Sequence, residues 1–156
     1  MSVVEDKLEI LDLIARYSHA YDGDDSEAWA NVFTEDGVVN GRVGQPDEIV
    51  VRGRDQLLAF HRRAVSRRGR SQTRHHQSTT MFVELTENRA VTRTYLLVTH
   101  VEEGKPPFVG LTSVYEDEIV RTPAGWRIKV RRILPDVKGV LADVLRRAPA
   151  PAEKGE

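Results

Sequence analysis

The apolar positions at the start of the chain follow a helical rhythm. Val4, Leu8, Leu11, Ile14, Tyr17 and Tyr21, with the small Ser18 beside them, recur mostly at three- and four-residue spacings. This predicts one amphipathic helix over residues 3–21, closed by Gly23. Asp24, Asp25 and Ser26 supply cap oxygens for a short second helix, SEAWANVF, that buries Trp29, Val32 and Phe33. Thr34 to Gly37 reads as a turn and Val38–Val39 as the start of a short strand. Residues 40–54 read as mainly loop with a strand piece at Glu48–Arg52, because Gly41, Gly44, Pro46 and Gly53 interrupt them. A third helix over about 55–67 places Leu57, Leu58, His61, Ala64 and Val65 on one stripe.

The period then changes to two. From 73 to 86 the odd positions read His75, Gln77, Thr79, Met81, Val83 and Leu85, and their apolar end predicts that the odd set faces inward. Residues 89–102 and 108–121 read as long strands joined by a loop holding Gly104, Pro106 and Pro107. In a last strand Trp126, Ile128 and Val130 alternate with Arg127, Lys129 and Arg131. Residues 135–147 are expected to form a short terminal helix, and 148–156 a disordered tail after a single domain over 1–147. Helices followed by a run of strands define an α+β layout, with helices on one face of a curved antiparallel sheet. The concave face and the first helix are expected to enclose a pocket, and the absence of a βαβ order argues against a Rossmann site.

Composition narrows the partners. With 23 Lys and Arg against 24 Asp and Glu the net charge is −1, so no global field recruits nucleic acid or an anionic membrane. The chain has no Cys, which removes disulfides, thiolate nucleophiles and cysteine metal sites together. No stretch approaches the ~18 apolar residues of a membrane span, and MSVVEDKLEI is too charged for a signal peptide, so a cytoplasmic protein is expected. Nucleophile-elbow, phosphate-loop, zincin and dinucleotide motifs are all missing.

Chemistry is left to five histidines and the Tyr21–Asp22 pair. His19 lies off the first helix's stripe and is expected in solvent. His61 lies on an apolar stripe and reads as a core imidazole satisfied by a hydrogen bond. His75 and His76 are adjacent on a strand and must point to opposite faces, which disfavours a shared metal. Counted from the turn at Asn88, His75 and His100 fall nearly level on neighbouring strands, so they either pair at one rim or sit there by chance. Asp22 ends a helix where a carboxylate opposes the dipole, which suits either a turn or a functional group. The arginines between Arg52 and Arg74 read as a solvated face, or as an oligomer contact with the acidic 22–28 stretch.

These residues resemble a known family. IARYSHAYDGDDSEAWANVFTEDGVV is similar to the opening of SnoaL-like proteins of the nuclear transport factor 2-like superfamily. GRDQLLAF, RHHQSTTMFVEL and GWRIKVRRILPD continue the likeness over about residues 5–138. The resemblance implies a cone-shaped α+β fold around a deep pocket, assembled as a homodimer or homotrimer, with a small-molecule substrate. Scytalone dehydratase and the bile-acid dehydratases resemble the chain most closely in motif. Tyr21–Asp22 matches the former's Tyr–Asp pair, His75 and His100 its two histidines, and Pro135–Asp136 its closing dipeptide. Tyr17 matches the catalytic tyrosine of the latter. Asn40 and Thr112 stand where the scytalone enzyme holds a tyrosine and an amide, and Val98 falls near a carboxylate of the bile-acid type.

The resemblance implies a lyase without cofactor or metal. In it His75 acts as general base and acid of a syn elimination, His100 and Asp22 orient and charge the site, and Tyr17 and Tyr21 stabilise the oxyanion. Phe33, Asn40, Leu96, Val98 and Thr112 are the expected substrate contacts, with Met81, Phe82, Phe108 and Trp126 as further candidates for the lining. Isomerisation, cyclisation and retro-aldol cleavage use the same groups, and a dioxygenase small subunit or a binding module would share the fold without them.

Overall fold

The computed structural model describes residues 2–136. The expected terminal helix at 135–147 and the tail at 148–156 lie almost wholly outside the described residues. Helix α1 spans Val3–Asp22 and opens on a capping box: the Ser2 side chain accepts from Glu5 N–H, and the Glu5 carboxylate accepts from Ser2 N–H. Its buried face is Asp6, Ile10, Leu13, Ile14, Tyr17, Ser18 and Asp22, so Val4, Leu8 and Leu11 lie outside, contrary to the predicted stripe. The rotation has a cause. The Asp6 carboxylate is bonded to the guanidinium of Arg121 and to the indole N–H of Trp126 (3.4 Å), which turns the helix's first half by its polar residue. Helix α2 covers Ser26–Ala30, capped by Asp25, and α3 covers Arg54–Arg68.

Six strands follow the helical start: β1 (Phe33–Gly41), β2 (Ile49–Arg52), β3 (Gln72–Leu85), β4 (Arg89–Val101), β5 (Phe108–Thr122) and β6 (Gly125–Pro135). They form one sheet in the order β2-β1-β6-β5-β4-β3. Only the β1–β6 pairing is parallel, so the sheet is mixed. Residues 34–37, expected as a turn, belong to β1, and the irregularity of that stretch shows in the register shift between Phe33 and Val38. Helix α1 packs across β3 and touches β6, and its apolar face shares a core with Trp29, Phe33, Leu57 and Ile128. No described helix is long and apolar enough to cross a membrane.

Two irregular residues reset which side chains face that core. Thr79 adopts φ 54°, and the β3–β4 register shifts beside it. Thr73, His75 and Gln77 face inward before this bulge, and Phe82 and Leu85 pack on the core after it. Met81 and Val83 are consequently 54% and 57% exposed, not inward as strict alternation predicts. In β6, Ile128 pairs with Ile119 and Val130 with Glu118, leaving Lys129 as an extra residue. Beyond it Arg131, not Val130, takes the inner position and is fully buried.

Candidate active site

The site begins where α1 ends. Gly23 N–H bonds the His19 carbonyl and closes the helix, leaving Asp22 beside β3, an edge strand. Asp22 serves that edge in place of a further strand. Its Oδ2 accepts the His75 backbone N–H at 2.7 Å, and its Oδ1 meets His75 Nδ1 at 2.6 Å. The Thr73 hydroxyl also donates to Oδ1 (3.3 Å), and the Gln72 amide donates to the Asp22 carbonyl (2.9 Å). Asp22 is only 8% exposed. Burial opposes its charge, but the bonds and charge from His75, with the Thr73 hydroxyl, outweigh burial and hold the carboxyl below its ordinary range. An ionised Asp22 therefore receives the Nδ1 proton of the neutral ring and leaves Nε2 bare. Nε2 has no hydrogen-bond partner among the described residues.

Aromatic rings frame this imidazole. Tyr21 meets it at 4.7 Å between centroids and Tyr17 at 6.4 Å, both with an edge presented. Burial, and then the neighbouring Tyr17, push the Tyr21 phenol above its ordinary value, which keeps it a neutral donor. His61 closes the other side of Tyr21 at 4.6 Å. It is 0% exposed, stacks on Trp29, and is satisfied by the Ser26 hydroxyl (2.8 Å) and the Tyr21 carbonyl (3.3 Å), so it is the core imidazole the helical stripe predicts. Burial holds its pKa below the ordinary value despite the carbonyl contact.

His100 is not level with His75. His75 pairs with Val98, and His100 pairs with Thr73, one inward position further along. The two register shifts in β3 account for the difference from a count starting at Asn88. His100 shares the inner face, stacks on Phe108 at 5.3 Å and lies over Gly110, where any Cβ would overlap its ring. Burial lowers its pKa, and a protonated His75 would lower it further. A recess of about 410 Å³, lined by Ser18, His19, Asp22, Gly23, Arg74, His75 and His76, adjoins the Asp22–His75 pair.

The expected substrate contacts divide by face. Phe33, Leu96 and Val98 belong to the buried inner cluster. Asn40 does not: Val39 holds the inner position of β1, and Asn40 lies with exposed Val50 and Arg132 on the other face. Thr112 is also displaced, since it pairs with outward Leu97, and its neighbour Ser113 is the buried one. Trp126 is held by Asp6 and Arg121 at the opposite end of α1 from Asp22. His19 and His76 are exposed, His76 bonding the Thr99 hydroxyl. The arginine-rich segment pairs with the acidic stretch of its own chain, through Arg54 and Arg62 to Glu27 and Arg68 to Asp24.

Alternation hid one buried ion pair. Arg131 makes a two-pronged ion pair with Asp117, and both are fully buried on the inner face. The signal was the pair Arg131–Arg132: neighbours on a strand face opposite ways, so one of them had to meet the covered face. Among the described residues, no three His, Asp or Glu side chains gather as metal ligands.

A mixed six-stranded sheet with its N-terminal helices holding a carboxylate–imidazole pair against the edge strand defines a pocketed α+β class. The chain belongs to the SnoaL-like domain family, whose model matches residues 2–132. No curated protein matches it. Among solved structures it is similar to Rv3472 of Mycobacterium tuberculosis, a protein of unknown function, at 29% identity and TM-score 0.73 over 86% of this chain and 78% of that one. It is also similar to an NTF2-like protein with a cystatin-like fold from Novosphingobium aromaticivorans, at 27% identity and TM-score 0.74 over 94% and 92%. A candidate scytalone dehydratase from the same organism shares the fold at 23% identity and TM-score 0.73 over 98% and 97%.

Proposed function

We propose that this protein is a cofactor-independent acid/base lyase, a dehydratase that eliminates water next to a carbonyl of an aromatic or polycyclic small molecule. The observation that carries the reading is the Asp22–His75 pair, with Nδ1 engaged at 2.6 Å and Nε2 bare. In the proposed reaction Nε2 removes the α-proton, and the C–H electron pair moves to the carbonyl as an enolate. Asp22 stabilises the imidazolium that forms. The same nitrogen then returns its proton to the β-hydroxyl on the same side. The C–O bond breaks, water leaves and the enolate electrons form the new double bond. Tyr17 and Tyr21 are the donors to the oxyanion, His100 sets the charge around the ring, and Phe33, Leu96 and Val98 supply the apolar wall. The scheme closes on side chains of this chain alone.

The test is a panel of aromatic and polycyclic β-hydroxy ketones, followed by conjugated-enone absorbance and loss of water by mass. Wild type is expected to dehydrate at least one of them, and His75→Ala to lower kcat by about 10²-fold or more with the fold retained by circular dichroism. Unchanged turnover in His75→Ala removes the imidazole from the reaction. A product of unchanged mass makes the protein an isomerase using the same pair.

A further inference from the structure

The inner face of the sheet holds polar atoms that the fold leaves unused. Arg131 Nε donates to Asp117 Oδ1 at 2.8 Å and Nη2 to Oδ2 at 2.7 Å, in a pair with no exposure at all. The third nitrogen, Nη1, is buried without a partner. So are the Ser113 hydroxyl oxygen and the Gln77 amide oxygen. Ser113 and Gln77 both pair with inward Leu96, so these two atoms belong to one row of the inner face. A buried ion pair is a costly way to fill a core, and apolar residues of the same volume commonly serve stability as well or better. An orphaned donor adds to that cost, and native structures seldom carry one without a ligand or water to meet it.

Position gives the orphan a role. The Arg131 guanidinium carbon lies 4.0 Å from the centre of the Tyr17 ring and 4.2 Å from that of Tyr115. The same Tyr17 ring stands 6.4 Å from the His75 imidazole. Cation and imidazole are thus neighbours of one tyrosine. Asp117 cancels the net charge of Arg131 and holds its fork rigid, so Nη1 is a fixed donor that needs no reorganisation when charge develops before it.

The geometry points to Arg131 as an oxyanion-binding residue: Nη1 donates to a ligand oxygen that carries or gains negative charge, an enolate or phenolate. This deepens the proposed reaction and rests on it for the part played by His75. Ser113 and Gln77 offer a hydroxyl and an acceptor for further oxygens of the same molecule.

The probe is 4-nitrophenol, whose phenolate stands in for an enolate and is followed by its visible absorbance, with nitrobenzene as the same ring without the phenol oxygen. Wild type is expected to bind the phenolate in preference to the phenol, lowering the apparent pKa of the bound probe. Arg131→Met combined with Asp117→Leu removes both charges and leaves no buried carboxylate alone. It is expected to weaken phenolate binding roughly 10- to 100-fold and to leave nitrobenzene binding as it was. If that variant does not fold, Arg131→Lys keeps a charge without the fork and is expected to lose the phenolate preference. No phenolate binding by wild type, equal affinity in the variant, or an equal loss of nitrobenzene overturns the inference. The outcome does not depend on turnover: phenolate preference without dehydration leaves Arg131 in place and ends the lyase reading, and the converse ends only the role of Arg131.

Discussion

At the scale of the residue, the site works by leaving one side chain a single option. Asp22 takes both the backbone N–H and the ring of His75, so the rotamer and the tautomer of the imidazole are set together. His100 is held differently, by space. Gly110 has an ordinary φ, and only the ring above it forbids a side chain there. Gly110→Ala is therefore expected to cost about 1–3 kcal/mol and to push His100 outward, raising its pKa toward the ordinary value. In a His100→Ala background the same substitution should be nearly silent. Equal cost in both backgrounds, measured by chemical unfolding with histidine titration by NMR, would show that His100 does not need the gap. His61 makes a separate prediction. Its pKa is lowered in the fold from 6.5, so its full contribution to stability is present above about pH 6.5. It is lost as the pH falls from there through the lower folded value, because the unfolded chain takes up the proton first. His61→Gln should flatten this part of the stability profile, and an unchanged slope would assign it to another group.

At the scale of the element, strands β3 to β6 were legible in the sequence, and their faces only as far as the first bulge. Period-two runs located β3 to β6, but parity holds only until an extra residue intervenes. Thr79 and Lys129 are such residues, and neither type announces a bulge. Past Thr79, Met81 and Val83 move outside; past Lys129, Arg131 moves in. Asp22 and His75, by contrast, were legible because a helix end and a strand start are located by caps and period, which no bulge disturbs. Helix α1 shows the same contest. A count of apolar residues put Val4 and Leu8 inside, yet the bonds from Asp6 to Arg121 and Trp126 decide the rotation. Asp6→Ala should free that turn, lower Tm by a few degrees and speed amide exchange over the first half of α1. Unaltered exchange there would mean that Ile10 and Leu13 alone set the helix.

At the scale of the whole molecule, the interior is of two kinds. Ile10, Leu13, Leu57 and Ile128 form an ordinary apolar core, whereas the inner face along β3, β5 and β6 carries His75, Asp117 and Arg131, with Asp22 of α1 bonded to His75. A fold that needed only stability would have little use for the second kind, and this contrast supports the proposed reaction. The proposed reaction depends on Asp22 presenting His75 as a base with its outer nitrogen free. The direct measurement is ¹⁵N NMR of the His75 ring in wild type and in Asp22→Asn. The neutral ring is expected to carry its proton on Nδ1, in a strong hydrogen bond that Asp22→Asn weakens, with Nε2 unprotonated. A neutral ring protonated on Nε2, or one indifferent to Asp22→Asn, would contradict it.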